Sequence, residues 1–348
     1  MRLLPIIILS LTGSLAAGEA TAYPLWDGQE TVADYAKRVN LPATKTLDLG
    51  NGVKMELVLI PAGIFIMGTP EPTAVDEDGF HKRILTGQAL LAVSATALLV
   101  ILVVVIGKAV RKRQRPKFSL LWLLAMTVMA GSCVLGGLHW RQSAKGLADY
   151  QAAMARFKAA SDNEKHAHLV TLPQPYYMGK YVVTQKQYQV VTGENPSCFK
   201  GNDNPVDHLI WDEAVDFCRK AASQTRQSIR LPKEPEWEFA CRAGTTTTYN
   251  SGDAESDLAR VGWYSSNSNS TSHPVGQKEP NAFDLYDMHG NICEWCMDSD
   301  PQGYGVLRGG SWESLPIGCT SAFRRKDSPA MRYMDTGFRV VVPVIGQP

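Results

Sequence analysis

The sequence predicts a mixed α+β domain carried on two transmembrane helices. Two kinds of observation lead there. Short apolar runs punctuated by Gly and Pro alternate with segments whose apolar residues recur every three to four positions, so strands and helices are both expected. Two further runs, Leu85–Gly107 and Phe118–Trp140, contain no Asp, Glu, Lys or Arg, and each is long enough to cross a bilayer as a helix. The formal net charge is +1, so no overall field draws nucleic acid or acidic partners. No phosphate loop or nucleophile elbow is present.

Residues 1–22 read as a secretory signal. Arg2 is the positive start, Leu3–Leu11 the apolar core, and Ala20-Thr21-Ala22 a small-residue cleavage site. Residues 23–83 form an extracytoplasmic segment that opens the domain. Within it Glu30–Val39 has a helical pattern. Met55–Ile60, a break at Pro61-Ala62-Gly63, and Ile64–Met67 read as strand, turn and strand. Residues 84–107 and 118–140 are the two spans. The loop between them, residues 108–117, carries Lys108, Arg111, Lys112, Arg113, Arg115 and Lys117 and no acid. Short basic loops of this kind stay in the cytoplasm, so both ends of the hairpin emerge on the outer face, in the periplasm or at the cell surface. Residues 141–163 read as a helical stalk, with Leu147, Tyr150, Ala153, Met154 and Phe157 on one stripe.

The main domain occupies residues 164–348. His168–Leu172 alternates as a strand, and Tyr176–Val183 reads as another. Thr184 is a candidate N-cap for a helix reaching Val191. Asp212–Ala222 and Glu234–Arg242 have helical patterns, the second closed near Gly244. Asn250–Ser272 is rich in Ser and Asn and reads as a surface loop. Of seven cysteines, Cys133 lies in an apolar run. The other six allow either disulfides or free buried thiols. Cys293-x-x-Cys296 without a second pair is a weak zinc signal.

Asp287 and Glu294 are hard oxygen donors seven residues apart. A chain turning at His289-Gly290-Asn291 aims both carboxylates, and the carbonyls of Gly290 and Ile292, at one cation, and calcium accepts that set. The alternative is a turn with two solvated acids.

PNAFDLYDMHGNICEW at Pro280–Trp295, RGGSW at Arg308–Trp312 and TGFR at Thr336–Arg339 resemble the C-terminal half of the formylglycine-generating enzyme, or sulfatase-modifying factor, family. So do FIMG at Phe65–Gly68, GKYVVTQKQY at Gly179–Tyr188, NPSCFKGNDNPV at Asn195–Val206, WDEAVDFC at Trp211–Cys218 and RLPKEPEWEFACRAGTTT at Arg230–Thr247. The resemblance covers about Leu47–Thr69 and Glu164–Val344. It implies an α+β fold with much irregular structure and a distant likeness to C-type lectins. It strengthens calcium at Asp287, Gly290, Ile292 and Glu294. The family's other calcium site is not expected, because Arg260 stands where its first asparagine belongs. The family's usual partners of Cys218 and Cys241 fall at Val340 and Arg324, which favours free thiols there.

Catalysis in the family uses two cysteines that hold Cu(I) and oxidise a substrate cysteine of a sulfatase. Cys319 matches the second. The first falls at Ser314, and a hydroxyl is a poor Cu(I) ligand. That argues against copper. Ser311 matches the family's active-site serine, and Asp335 replaces a usual asparagine. Two readings follow: a membrane-anchored enzyme of this class acting through Ser311 and Cys319 on sulfatase cysteines, or a non-catalytic peptide- or glycan-binding module on the same scaffold.

Overall fold

Short elements alternate with long irregular connections. The computed structural model describes residues 23–69 and 167–344. The expected signal, both spans, the basic loop and the stalk lie outside the described residues. Among the described residues, no helix is long and apolar enough to cross a membrane.

Helix α1 (Val32–Arg38) starts at Thr31, whose side chain accepts from the Asp34 amide. Strands β1 (Thr44–Asp48), β2 (Lys54–Ile60) and β3 (Gly63–Met67) follow. After the undescribed segment come β4 (His168–Leu172) and β5 (Tyr176–Gly179). β5 is shorter than the expected Tyr176–Val183. Beyond Gly179 the backbone leaves β2: the Lys180 amide still reaches Glu56, but the Val183 amide bonds to Phe338.

The first sheet has the order β1-β2-β5-β10, where β10 is Val341–Pro343. β2 pairs antiparallel with β5, Leu57 opposite Gly179. The strands that need a partner surface thus find it across the undescribed segment. β2 reads as an almost unbroken apolar run because both its faces are covered. Leu57 and Leu59 join one core cluster with Phe217, Phe338 and Trp295, and Val58 and Ile60 join another with Trp237, Phe239 and Phe283. β1 was not legible in the polar stretch before Asn51. It is an edge strand in which Leu47 is the buried residue.

Helix α2 (Gln185–Thr192) is opened by a capping box between Thr184 and Gln187 and closed by Gly193. Helix α3 (Trp211–Thr225) buries Ala214, Phe217, Cys218 and Ala221. Helix α4 (Glu234–Arg242) has no capping side chain at Lys233. Asp298 takes that part, accepting from the Glu234 amide. α4 closes at Ala243 in the left-handed region, one residue before Gly244. Residues 255–261, expected within a surface loop, form helix α5 (Glu255–Val261). Its two buried residues, Leu258 and Val261, are too few to give a periodic signal.

Strands β6 (Cys293–Ser299), β7 (Gly305–Arg308), β8 (Arg324–Asp327) and β9 (Thr336–Gly337) form a second sheet in the order β8-β7-β6-β9. Cys293 and Cys296 are three apart on β6 and so face opposite sides. Cys293 joins the first cluster and Cys296 the second. They do not pair with each other. All six described cysteines are free.

Candidate functional site

β7 delivers the loop that matches the family's catalytic segment. At its end Arg308 is buried, paired with Glu238 of α4, and donates to the carbonyls of Ala322 and Phe323 at 2.5 and 2.6 Å. Gly310 follows with φ +71°. A Cβ there would lie 2.5 Å from the Gly318 carbonyl and 2.7 Å from Cys319 Sγ, so glycine alone lets the loop fold back on the 3-10 turn Pro316–Cys319.

That fold-back brings Ser311 and Ser314 together. The Ser311 amide donates to Ser314 Oγ at 3.0 Å, and the two hydroxyls are 3.1 Å apart. Ser311 Oγ donates to Asp335 Oδ2 at 3.0 Å. The same Asp335 oxygen accepts from Arg325 of β8 at 2.9 Å, and Arg325 also pairs with Asp327 at 2.9 Å. Burial, and then the neighbouring Asp335 charge, push the Glu313 carboxyl above its usual range.

Cys319 lies behind this cluster, fully buried against Tyr249, Leu258 and Tyr264. Burial pushes its thiol up to about 12. Held protonated by burial, the free thiol is a poor nucleophile. Its carbonyl accepts from His289 Nδ1 at 2.8 Å, while the Asn250 amide donates to His289 Nε2 at 3.1 Å. His289 is therefore the neutral Nδ1-H tautomer. Burial pushes its pKa down to about 4. The donor set does not fit a two-thiolate Cu(I) site: beside the one thiol of Cys319 it offers at Ser314 a hydroxyl already bonded to Ser311.

The expected calcium loop lies next to this one, its Gly290 amide donating to the Gly309 carbonyl at 2.7 Å. Gly290 has φ +90°, and a Cβ there would collide with the Trp263 carbonyl oxygen. Asp287 is buried. Its Oδ2 accepts from the Gly276 amide at 2.8 Å, and its Oδ1 has no hydrogen-bond partner among the described residues. Burial pushes this carboxyl up to about 6, and the Glu294 charge adds to the rise. Such an orphaned buried oxygen fits a cation. Glu294 is differently placed. Arg339 donates to both of its oxygens at 2.6 Å, and Trp237 Nε1 donates to Oε2 at 2.7 Å. The structure thus brings Asp287 and Glu294 together but leaves their carboxylates unequal. Among the described residues no three His, Cys, Asp or Glu side chains group to hold a metal. A site here needs backbone carbonyls.

Arg325 and Arg339 were not singled out from sequence. Arg339 stands in the TGFR motif, but its partner is 45 residues away. Arg325 reaches Asp335, the acceptor of the Ser311 hydroxyl, from β8, whose pairing with β7 no local pattern reveals.

Residues 144–344 match the family described as "Sulfatase-modifying factor enzyme 1-like domain". The chain is 27% identical to "Chaperone protein LppX" of Paenibacillus barcinonensis, over 48% of this chain and 79% of that one. It is 30% identical to "Formylglycine-generating enzyme" of Streptomyces coelicolor, over 39% of this chain and 52% of that one. It is 25% identical to "Inactive C-alpha-formylglycine-generating enzyme 2" of Bos taurus, over 86% of this chain and 92% of that one. Some matched relatives are spanned for much less: about a quarter of the Chlamydia caviae kinase pkn1. "Treponema denticola variable protein 1" shares the fold, with TM-score 0.57 at 22% identity, covering 87% of this chain and 100% of that one. PvdO from Pseudomonas aeruginosa does so with TM-score 0.55 at 20% identity, covering 86% and 98%. The chain belongs to the sulfatase-modifying factor enzyme 1-like domain family.

Proposed function

We propose that the chain is a membrane-anchored, extracytoplasmic member of this family that binds a polypeptide at the Ser311–Asp335 loop without oxidising a cysteine through copper. One observation carries the reading. Where the family's chemistry needs a first thiolate, Ser314 offers a hydroxyl bonded to Ser311. Leu315 and Met334 are 67% and 50% exposed beside this polar centre, a rim that suits apolar side chains of a peptide better than a glycan. The name of the bovine relative, "Inactive C-alpha-formylglycine-generating enzyme 2", is in keeping with it. The test is incubation with a cysteine peptide of sulfatase type, Cu(I) and oxygen, followed by mass spectrometry. Unmodified peptide is expected; formylglycine at a catalytic rate would overturn the reading.

The second reading is the enzyme itself, with Ser311 and Cys319 acting on a sulfatase cysteine. It is favoured by the matches to formylglycine-generating enzymes. The same assay decides between them.

Calcium belongs to both readings. Asp287 with the Gly290 and Ile292 carbonyls would hold it. Glu294 would use the one lone-pair direction left by Arg339 and Trp237. Bound there, calcium supplies a counter-charge to the orphaned Asp287 oxygen and fixes the loop under Ser311.

Membrane anchoring rests on the two uncharged runs and the basic loop between them. In intact cells Thr46→Cys and Ser161→Cys should react with an impermeant thiol reagent and Gln114→Cys should not. Thr46 and Ser161 on opposite sides would end this reading.

A further inference from the structure

β3 and β4 form a two-stranded ribbon with one face on the core and one outward. Phe65 and Leu172 turn inward, Phe65 lying 5.3 Å from the Phe239 ring. The outer positions of such a ribbon are ordinarily polar. Here Ile64, Ile66 and Leu169 are 47%, 50% and 70% exposed. Ile66 stands directly opposite Leu169, and Ile64 opposite Thr171. Directly opposed residues touch, and Ile64 is two along on the same face, so the three aliphatics form one patch without a charge.

Its place in the chain is the second observation. Met67, at the end of β3, pairs with His168, at the start of β4. The chain therefore leaves and re-enters the domain at adjacent points on this ribbon. Between them lie the two uncharged runs Leu85–Gly107 and Phe118–Trp140. On the membrane-anchored reading, both tethers therefore join the domain at the ends of this one ribbon.

We infer that the outer face of the β3–β4 ribbon, through Ile64, Ile66 and Leu169, contacts the phospholipid bilayer and sets the domain's orientation on it. The inference rests on the membrane-anchored reading above. Aliphatic side chains entering the interfacial region gain burial that water denies them.

The test uses the full-length chain in phosphatidylcholine–phosphatidylglycerol vesicles. Leu169→Cys carries a nitroxide, in a background of Cys133→Ala and Cys198→Ser. Leu315→Cys is the exposed control. Collision with oxygen should exceed collision with an aqueous nickel chelate at position 169, and the order should reverse at 315. Ile66→Glu should return position 169 toward the aqueous value by several-fold. Equal chelate access at 169 and 315 in membrane-inserted protein would overturn the bilayer contact alone. Spin–spin broadening at 169, marking a second copy on the patch, would overturn it too. Failure of the chain to insert at all would overturn the anchoring together with the contact.

Discussion

Removing the Glu294 carboxylate should destabilise the domain far more than any loss of a metal explains. Arg339 is fully buried and donates to both Glu294 oxygens and to the carbonyls of Gly179 and Tyr286 at 3.1 and 3.0 Å. It thereby ties β6 to the end of β5. Glu294→Ala leaves that guanidinium in the core with two neutral acceptors, which costs about 3–5 kcal/mol. Trp237 Nε1 loses its acceptor as well, a further ~1 kcal/mol or more. For a domain of this size about 1 kcal/mol moves the melting temperature by roughly 2–4 °C, so a fall on the order of 10–20 °C is expected. The assay is thermal melting of the full-length protein in detergent, followed by tryptophan fluorescence, with calcium and with chelator. The fall should persist in chelator, because its source is the buried cation. The double variant Glu294→Leu/Arg339→Met should recover most of it, since an apolar pair replaces a buried ion pair at little cost. A fall below about 2 °C, or a double variant no better than the single one, would refute the reasoning.

Four other outcomes are expected. Chelation should lower the melting temperature of the unaltered protein, and Asp287→Asn should remove that difference while leaving the Arg339–Glu294 pair intact; identical curves with and without chelator would count against calcium at Asp287. Burial raises the Asp207 carboxyl from 3.8 to about 6, so the folded state keeps a proton that the unfolded chain releases. Its contribution to stability therefore falls as pH rises from about 4 to about 6, by about 3 kcal/mol, and Asp207→Asn should flatten the stability–pH profile across that window; a difference profile of opposite sign contradicts the burial argument. Gly310→Ala should disrupt the Ser311–Ser314 turn and cost several kcal/mol in denaturant melts, because its Cβ meets the Gly318 carbonyl and Cys319 together. Ser314→Cys should raise Cu(I) affinity by at least about tenfold in a competition titration, and no change would show that Cys319 is out of reach.

Much of the scaffold was legible because local chemistry and tertiary role agree. β2 and β3 carry their apolar residues at strand spacing. Thr184 and Gln187 form the capping box that a Thr before a helix suggests. α4 spans Glu234–Arg242 as its pattern indicated. α5 was hidden, because two buried residues in a Ser/Asn-rich stretch give no period. β1 was hidden because an edge strand with one buried side chain looks like a polar linker. At the candidate site, the glycines, Ser311, Cys319 and Asp287 were visible as motif residues. What each carboxylate faces was not. Glu294 and Asp287 are equal donors in the sequence, yet Glu294 is paired with Arg339 while Asp287 keeps an oxygen with no partner among the described residues. That difference arises from pairings across the sheets.

The most direct test of the central claim is a Cu(I) titration of the full-length protein against a competing chromophoric chelator, with and without a sulfatase-type cysteine peptide. A single thiol, Cys319, with a hydroxyl at Ser314 predicts no tight one-to-one binding in either case. Stoichiometric Cu(I) uptake that depends on Cys319, lost in Cys319→Ser, would contradict it.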